Sequence, residues 1–360
     1  MPLLTVNCGR PIVPSDNASR YNAVRSVATN SQQNFSRRET NYLGWRPYSR
    51  SAIENMNAVE IESVTKSFGD HRAVDDLSLA VPTGAIYGFI GPNGSGKTTT
   101  LRMIMRILHP NCGRIRVLGA ESLGAANNRI GYLPEERGLY KKMKVRDVLR
   151  FYAELKDCRD SRREVDRWLE VMQLSEWANK KVESLSKGMS QKVQFIGAVV
   201  ARPELVILDE PFSGLDPVNA EVLRAAVLGL KRDGSTVIFS THDMAVAEKM
   251  CDFIFMIFKG RKVLDGTLDA IQNRYGSDIV RVQLDGNGDG ADLADIAGVE
   301  RVNNFGRLQE LRVGRDTDTQ DVLAALMHRG RVRHFELAKP SLHDIFVRIA
   351  GPEAEELSHA

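Results

Sequence analysis

The 360-residue chain lacks the marks of several large protein classes. Its four cysteines, Cys8, Cys112, Cys158 and Cys251, never fall in a C-x-x-C pair. This argues against a disulfide framework or a zinc site and leaves a reducing cytosol as the plain reading. No apolar stretch approaches the roughly 20 residues that a bilayer-spanning helix needs; residues 253–258 are among the longest such runs. The N-terminus has no signal-peptide h-region, and no heptad repeat announces coiled-coil arms. Charge of one sign is missing as well. The formal net charge of +3 arises in residues 1–55, which hold seven Arg, no Lys and three acids. The remaining 42 basic and 43 acidic groups balance, so composition supports no basic patch and no nucleic-acid partner is expected.

At 42% hydrophobic residues, the chain is long enough to bury a sizeable core and to hold more than one domain. Residues 1–55 are rich in Ser, Asn and Arg and show no hydrophobic periodicity. They read as an upstream extension ahead of a start at Met56, with a disordered tail or an Arg-rich organelle presequence as alternatives. Residues 59–81 alternate like a small antiparallel sheet. The pattern is helical over about 136–191, with residues 145–155 strongly amphipathic. Buried-strand candidates follow at 205–208 and 236–239, separated by a helix-like segment at 219–231. Composition breaks after Gly266. From about Ser277 a new unit alternates strand-like segments (279–284, 299–302, 308–313, 333–337) with two helical ones (320–327, 342–349). The Gly/Asp-rich turn 285–290 lacks the acid that closes a calcium loop at its twelfth position. His328, His334 and His343 read as surface residues rather than a metal set.

Residues 91–99 read Gly-Pro-Asn-Gly-Ser-Gly-Lys-Thr-Thr, the phosphate-loop pattern G-x-x-x-x-G-K-[ST]. An apolar run at 85–90 suits a buried strand before it, and residues 99–108 read as a helix after it. Gly91, Gly94 and Gly96 allow backbone N–H groups to wrap a phosphate, with Pro92, Asn93, Ser95 and Thr99 completing the loop. Lys97 neutralises the β- and γ-phosphates, and the Thr98 hydroxyl suits Mg²⁺.

Three further segments sharpen this. Residues 205–210 are four apolar residues ending in Asp209 and Glu210, which a buried parallel strand delivers beside the phosphate loop. Asp209 suits Mg²⁺, and Glu210 is placed to polarise a water. Ser186, in Leu185-Ser-Lys-Gly-Met-Ser-Gln191, is a good N-cap for the helix that follows, whose N-terminus can face a γ-phosphate. His242, in Ser240-Thr-His-Asp243, follows a strand and can donate a hydrogen bond to that phosphate.

In this order and spacing, residues 59–266 resemble the ATP-binding subunit of an ABC transporter. The matching segments are Walker A at 91–98, signature at 185–191, Walker B at 205–210, D-loop at 213–217 and switch His242. The resemblance implies an α/β P-loop fold: a mostly parallel sheet with an antiparallel β subdomain and a helical subdomain at 136–191, together spanning 56–268. A small α+β domain at 277–350 and a tail at 351–360 follow. It also implies ATP and Mg²⁺ as ligands. Phe68 would stack on adenine. Lys97, Glu210 and His242 would be catalytic, and Thr98, Asp209 and Glu135 would serve the metal. Asp216 would contribute to the nucleotide site, Ser186 and Gly188 would act across a dimer of two ATPase subunits, and the helical subdomain would meet an integral membrane permease at the cytoplasmic face of the membrane.

The segments 132–140 and 339–346 are similar to subunits of drug- or sodium-export type. Two departures stand out: Glu135 replaces the usual Gln, and the signature has Lys187 and Met189 where Gly and Gln are usual. Both bear on hydrolysis rate more than on ATP binding. Competing readings are an ABC ATPase acting on ribosomes or nucleic acid and a weakly hydrolysing regulatory module.

Overall fold

The computed structural model describes residues 57–121, 127–136, 138–276, 279–285, 293–314 and 317–351. The expectations for the N-terminal extension, for most of the 285–290 turn and for the final tail therefore lie outside the described residues.

A six-stranded sheet carries the order β5-β6-β7-β3-β8-β9. Its members are β3 (Ile86–Ile90), β5 (Ile130–Leu133), β6 (Leu205–Asp209), β7 (Thr236–Thr241), β8 (Phe253–Phe258) and β9 (Arg261–Gly266). All pairings are parallel except the antiparallel β8–β9 edge. Every residue of β3, β6 and β7 is buried, which is why their centres read as apolar runs rather than as alternating ones. Because β7 separates β3 from β6, the residues that follow all three strands emerge side by side on the carboxyl edge. Ligands of open α/β sheets bind on that edge.

A three-stranded antiparallel sheet, β2-β1-β4, packs alongside and comprises β1 (Asn57–Phe68), β2 (His71–Pro82) and β4 (Cys112–Val117). The alternation at 59–81 supplies only two of its strands; the third arrives after the helix α1 (Lys97–Ile104). The helical stretch expected over 136–191 resolves into α2 (Val145–Leu155), α3 (Ser161–Val171) and two short 3-10 turns, while α4 (Lys187–Val199) begins at the signature. No helix forms at 138–144, where Pro134 and Gly138 punctuate the approach to α2. Val145, Val148, Leu149 and Trp168 bury their side chains against α4 residues Val193, Phe195 and Ile196.

After α5 (Pro217–Arg232), α6 (Met244–Met250) and α7 (Leu268–Tyr275) comes a second sheet of order β11-β12-β10-β13. It comprises β10 (Ile279–Leu284), β11 (Val299–Asn304), β12 (Gln309–Val313) and β13 (Val332–Ala338). Helix α8 (Thr319–Arg329) covers one face, and Val280, Val282, Leu311, Val322 and Leu326 form a separate small core. The last helix among the described residues, α9 (Leu342–Ala350), joins a different core. Its Leu342, Ile345 and Phe346 are buried with Ile90, Ala247, Ile254 and Met256.

Candidate functional site

The loop between β3 and α1 is shaped by glycines that have no room for a Cβ. At Gly91 an added Cβ would collide with the Ile257 carbonyl. At Gly96 it would stand 2.6 Å from the Ala73 carbonyl, on a backbone with φ +109° that side-chain-bearing residues avoid. Lys97 opens α1, with its ammonium turned back into the loop. Nζ donates to the Gly91 carbonyl at 2.7 Å and the Pro92 carbonyl at 3.1 Å, and lies 3.7 Å from Glu210 Oε1. Burial pushes the Lys97 pKa below its ordinary value, while the charges of Glu210, Asp209 and Glu135 oppose that shift.

The Walker B strand ends in this cluster. Thr98 Oγ1 donates to Asp209 Oδ1 at 3.2 Å, and Ser240 Oγ, on the neighbouring strand β7, donates to the same oxygen at 2.5 Å. Ser240 Oγ also accepts the Glu210 N–H at 2.9 Å, so one hydroxyl fixes both acids. Glu210 adopts φ +48°, a turn that aims its side chain back at Lys97 and His242. His242 Nδ1 lies 3.1 Å from Glu210 Oε2, with its ring half-exposed. Burial raises the Glu210 carboxyl above the usual carboxylate range; the bond to His242 and the charges of His242 and Lys97 counter this, whereas Asp209 adds to it. Three buried polar atoms here have no hydrogen-bond partner: Ser95 Oγ, Asp209 Oδ2 and Glu210 Oε1. Orphaned buried polar atoms are rare in a relaxed core. Gathered beside a buried ammonium and a glycine cradle, they fit a polyanionic guest with a hard cation: the cation suits the Thr98 and Asp209 oxygens, and the phosphates suit Lys97 and the loop amides.

A second group sits on the N-termini of α4 and α5. Ser186 caps α4, accepting from Met189 N at 3.2 Å. Asp216 caps α5, accepting from Val218 N and Asn219 N at 3.1 and 3.0 Å. Gly188 packs so closely on Asn219 and Leu215 that an added Cβ would stand 3.1 Å from Asn219 Nδ2. Lys187 lies over Gly214 of the D-loop. The two groups are joined by Gln191, a buried residue whose Nε2 donates to the Pro211 carbonyl at 3.2 Å, one peptide beyond Glu210.

Phe68 lies at the β1–β2 hairpin end, 48% exposed, with Lys66 Nζ 5.3 Å from its ring centre. Glu135 is exposed just beyond β5, within electrostatic reach of Lys97. Sequence reasoning missed roles for Ser240 and Gln191. The available signal for Ser240 was a hydroxyl in a buried strand, and β6–β7 register puts it directly opposite Asp209.

Residues 74–213 match the family model described as "ABC transporter", and residues 266–350 match "ATP-binding protein DrrA1-3-like, C-terminal domain". The chain is 44% identical over 293 residues to the ABC transporter ATP-binding protein YhaQ of Bacillus subtilis, covering 81% of this chain and 98% of that protein. It is 32% identical over 313 residues to the Nod factor export ATP-binding protein I of Rhizobium leguminosarum bv. viciae, covering 83% and 96%. A solved structure described as the ATP binding subunit of an ABC transporter superposes with a TM-score of 0.57 at 30% identity, covering 61% of this chain and 93% of that one.

Proposed function

The chain belongs to the family of ABC transporter ATP-binding proteins, and from that membership we propose that it hydrolyses ATP to drive a separately encoded export permease, working as a pair of identical ATPase subunits. The observation that carries this is the convergence of Lys97, Thr98, Asp209, Glu210 and His242 on one sheet edge, with three buried polar atoms that accept or donate no hydrogen bond. Lys97 exchanges the Gly91 and Pro92 carbonyls for phosphate oxygens. Thr98 and Asp209 would hold Mg²⁺, which would supply positive charge to the phosphates. Glu210 accepts the proton of the attacking water, a task suited to a carboxyl that burial holds above the usual carboxylate range. His242 steadies Glu210 through Nδ1 and turns its exposed ring edge to the γ-phosphate. Ser186 and Gly188 serve the nucleotide of the partner subunit, and Phe68 offers its open ring to adenine.

No helix among the described residues is long and apolar enough to cross a membrane. Attachment through a permease would hold the subunit at the cytoplasmic face as a peripheral component. A cavity of about 300 Å³ between the sheet edge and the helical segment, lined by Tyr132, Pro134, Leu139, Tyr152, Leu155 and Gln194, supports docking of a permease helix there. Exposed Tyr140 and Phe151, packed edge to face, extend that apolar rim. Export, rather than import, is favoured by the full-length relatives whose names specify Nod factor export.

Two measurements test the proposal. Lys97→Ala removes the buried ammonium and is expected to abolish Mg-ATP binding by calorimetry; binding as tight as wild type would reject the phosphate-loop assignment. Purification of the tagged protein from native membranes is expected to bring a stoichiometric polytopic membrane protein with it. Recovery of ribosomal proteins alone would overturn the transport role.

A further inference from the structure

The switch histidine is followed at once by a short helix that leans on the C-terminal end of the chain. Asp243 N donates to Thr241 Oγ1 at 3.0 Å, and the Asp243 carboxylate caps α6 through Ala245 N and Val246 N at 3.0 and 3.1 Å. Helix α6 has only seven residues. So short a helix has little stability of its own and takes its position from what packs on it. Ala247 and Met250 are its buried residues, and Ala247 packs in one core with Leu342, Ile345 and Phe346 of α9. The polar link is more specific. Glu248 Oε1, on α6, accepts the backbone N–H of Leu342, the first residue of α9, at 2.5 Å.

That N–H is one of the four that a helix start leaves without an internal partner. Ser341 and Asp344 satisfy others reciprocally in a capping box. Glu248 thus completes the cap from a different element, and its charge is favoured at the positive end of α9. Helix α9 is itself pinned. Phe346 meets the Phe258 ring edge to face at 5.5 Å, Gln272 Nε2 donates to the Pro340 carbonyl at 3.0 Å, and Arg348 donates to the Tyr275 carbonyl at 3.3 Å. A continuous series of packed parts therefore runs from α9 through Glu248 and α6 to Asp243, His242 and Glu210.

We propose that the C-terminal unit sets the position of His242 by this clamp, and that Glu248 is a positioning residue for ATP hydrolysis, on the premise that His242 belongs to the ATPase site. The accessory unit is then a regulatory input: a partner that pulls on α9 withdraws support from the switch without touching nucleotide.

The test uses the full chain with ¹³C-labelled histidine, free of nucleotide, and follows the His242 ring resonance, identified by its loss in His242→Ala. Glu248→Met keeps the bulk but removes the acceptor, and is expected to shift or broaden that resonance. Glu248→Gln keeps an acceptor and is expected to leave it in place. In parallel, Glu248→Met lowers kcat for ATP by about three- to tenfold with KM within about twofold, the pattern of a lost transition-state interaction, and Glu248→Gln restores it. Phe346→Leu loosens α9 from the opposite side and is expected to disturb the same resonance, so the idea stays testable if Glu248→Met fails to fold. An unmoved His242 signal in both Glu248→Met and Phe346→Leu overturns the clamp. So does failure of Glu248→Gln to rescue. Absence of turnover in the wild type would reject the ATPase assignment but leaves the resonance test intact, so the two failures are distinguishable.

Discussion

Glycine at position 96 is demanded twice, and its replacement by alanine measures both demands. The backbone there has φ +109°, where a Cβ costs roughly 1–2 kcal/mol. The new methyl would also stand 2.6 Å from the Ala73 carbonyl, 3.2 Å from Ile257 Cδ1 and 3.5 Å from Val74 Cγ2. The first of these is backbone of β2, held in its sheet, so relief needs a strand to shift. Overpacking of this kind costs about 1–3 kcal/mol. Gly96→Ala is therefore expected to destabilise the protein by roughly 2–5 kcal/mol. Gly94 is the internal control. It also has a left-handed backbone, φ +75°, but an added Cβ meets nothing within 4 Å. Gly94→Ala is expected to cost only the conformational share, about 1–2 kcal/mol. Urea unfolding of both variants without nucleotide, followed by circular dichroism, reads the difference. Midpoints separated by less than about 0.5 kcal/mol of stability would show that the Ala73 carbonyl does not wedge the loop, and the close-approach argument would fail.

Glu210→Gln is expected to stabilise the nucleotide-free protein at pH 8 while abolishing turnover. Burial raises the Glu210 pKa, so the native state holds its proton more tightly than the unfolded chain. The stability this supplies is fully present below the unfolded pKa, near the ordinary glutamate value of 4.5, and is lost as pH rises through the folded one. The gain in Tm should accordingly vanish at acidic pH, and a lower Tm than wild type at pH 8 would refute the burial account. Gln191→Leu leaves the Pro211 carbonyl without its donor. It should cost about 1–3 kcal/mol of stability and lower kcat more than it raises KM, because the freed peptide adjoins Glu210; an unchanged kcat in folded protein would deny Gln191 any part in placing the base.

Much of the site was legible because its chemistry is local. The phosphate loop, the two acids ending β6 and the histidine after β7 each announce themselves within a few residues. What brings them together is not local. Ser240 ties Asp209 and Glu210 only because β6 and β7 are in parallel register, a pairing that periodicity does not encode. Glu210 at φ +48° is a conformation imposed by tertiary structure on a residue with no propensity for it. In the C-terminal unit, β10 appeared with its bounds intact, and α9 was recognisable from Leu342, Ile345, Phe346 and Ile349 at helical spacing. That α9 would abandon its own sheet for α6 was not legible, since an apolar stripe says that a helix packs and not on what. The edge strand β9 and helices α6 and α7 carry no clear apolar pattern, because β9 buries only Leu264, α6 only Ala247 and Met250, and α7 only Ile271.

The placement of α9 also bears on how the protein comes to exist. Ile90, the last residue of the strand before the phosphate loop, shares its core with Phe346, more than 250 positions further along the chain. Parallel strands already delay folding, because distant segments must meet before their contacts repay the lost entropy. Here that wait lasts until a helix more than 250 residues further along has been made. A nascent chain still attached to the ribosome lacks the cover for its own nucleotide strand until α9 has emerged. Truncation before α9 should therefore leave the outer face of β3 and β8 uncovered, so the nucleotide strand depends for its burial on a helix distant in sequence.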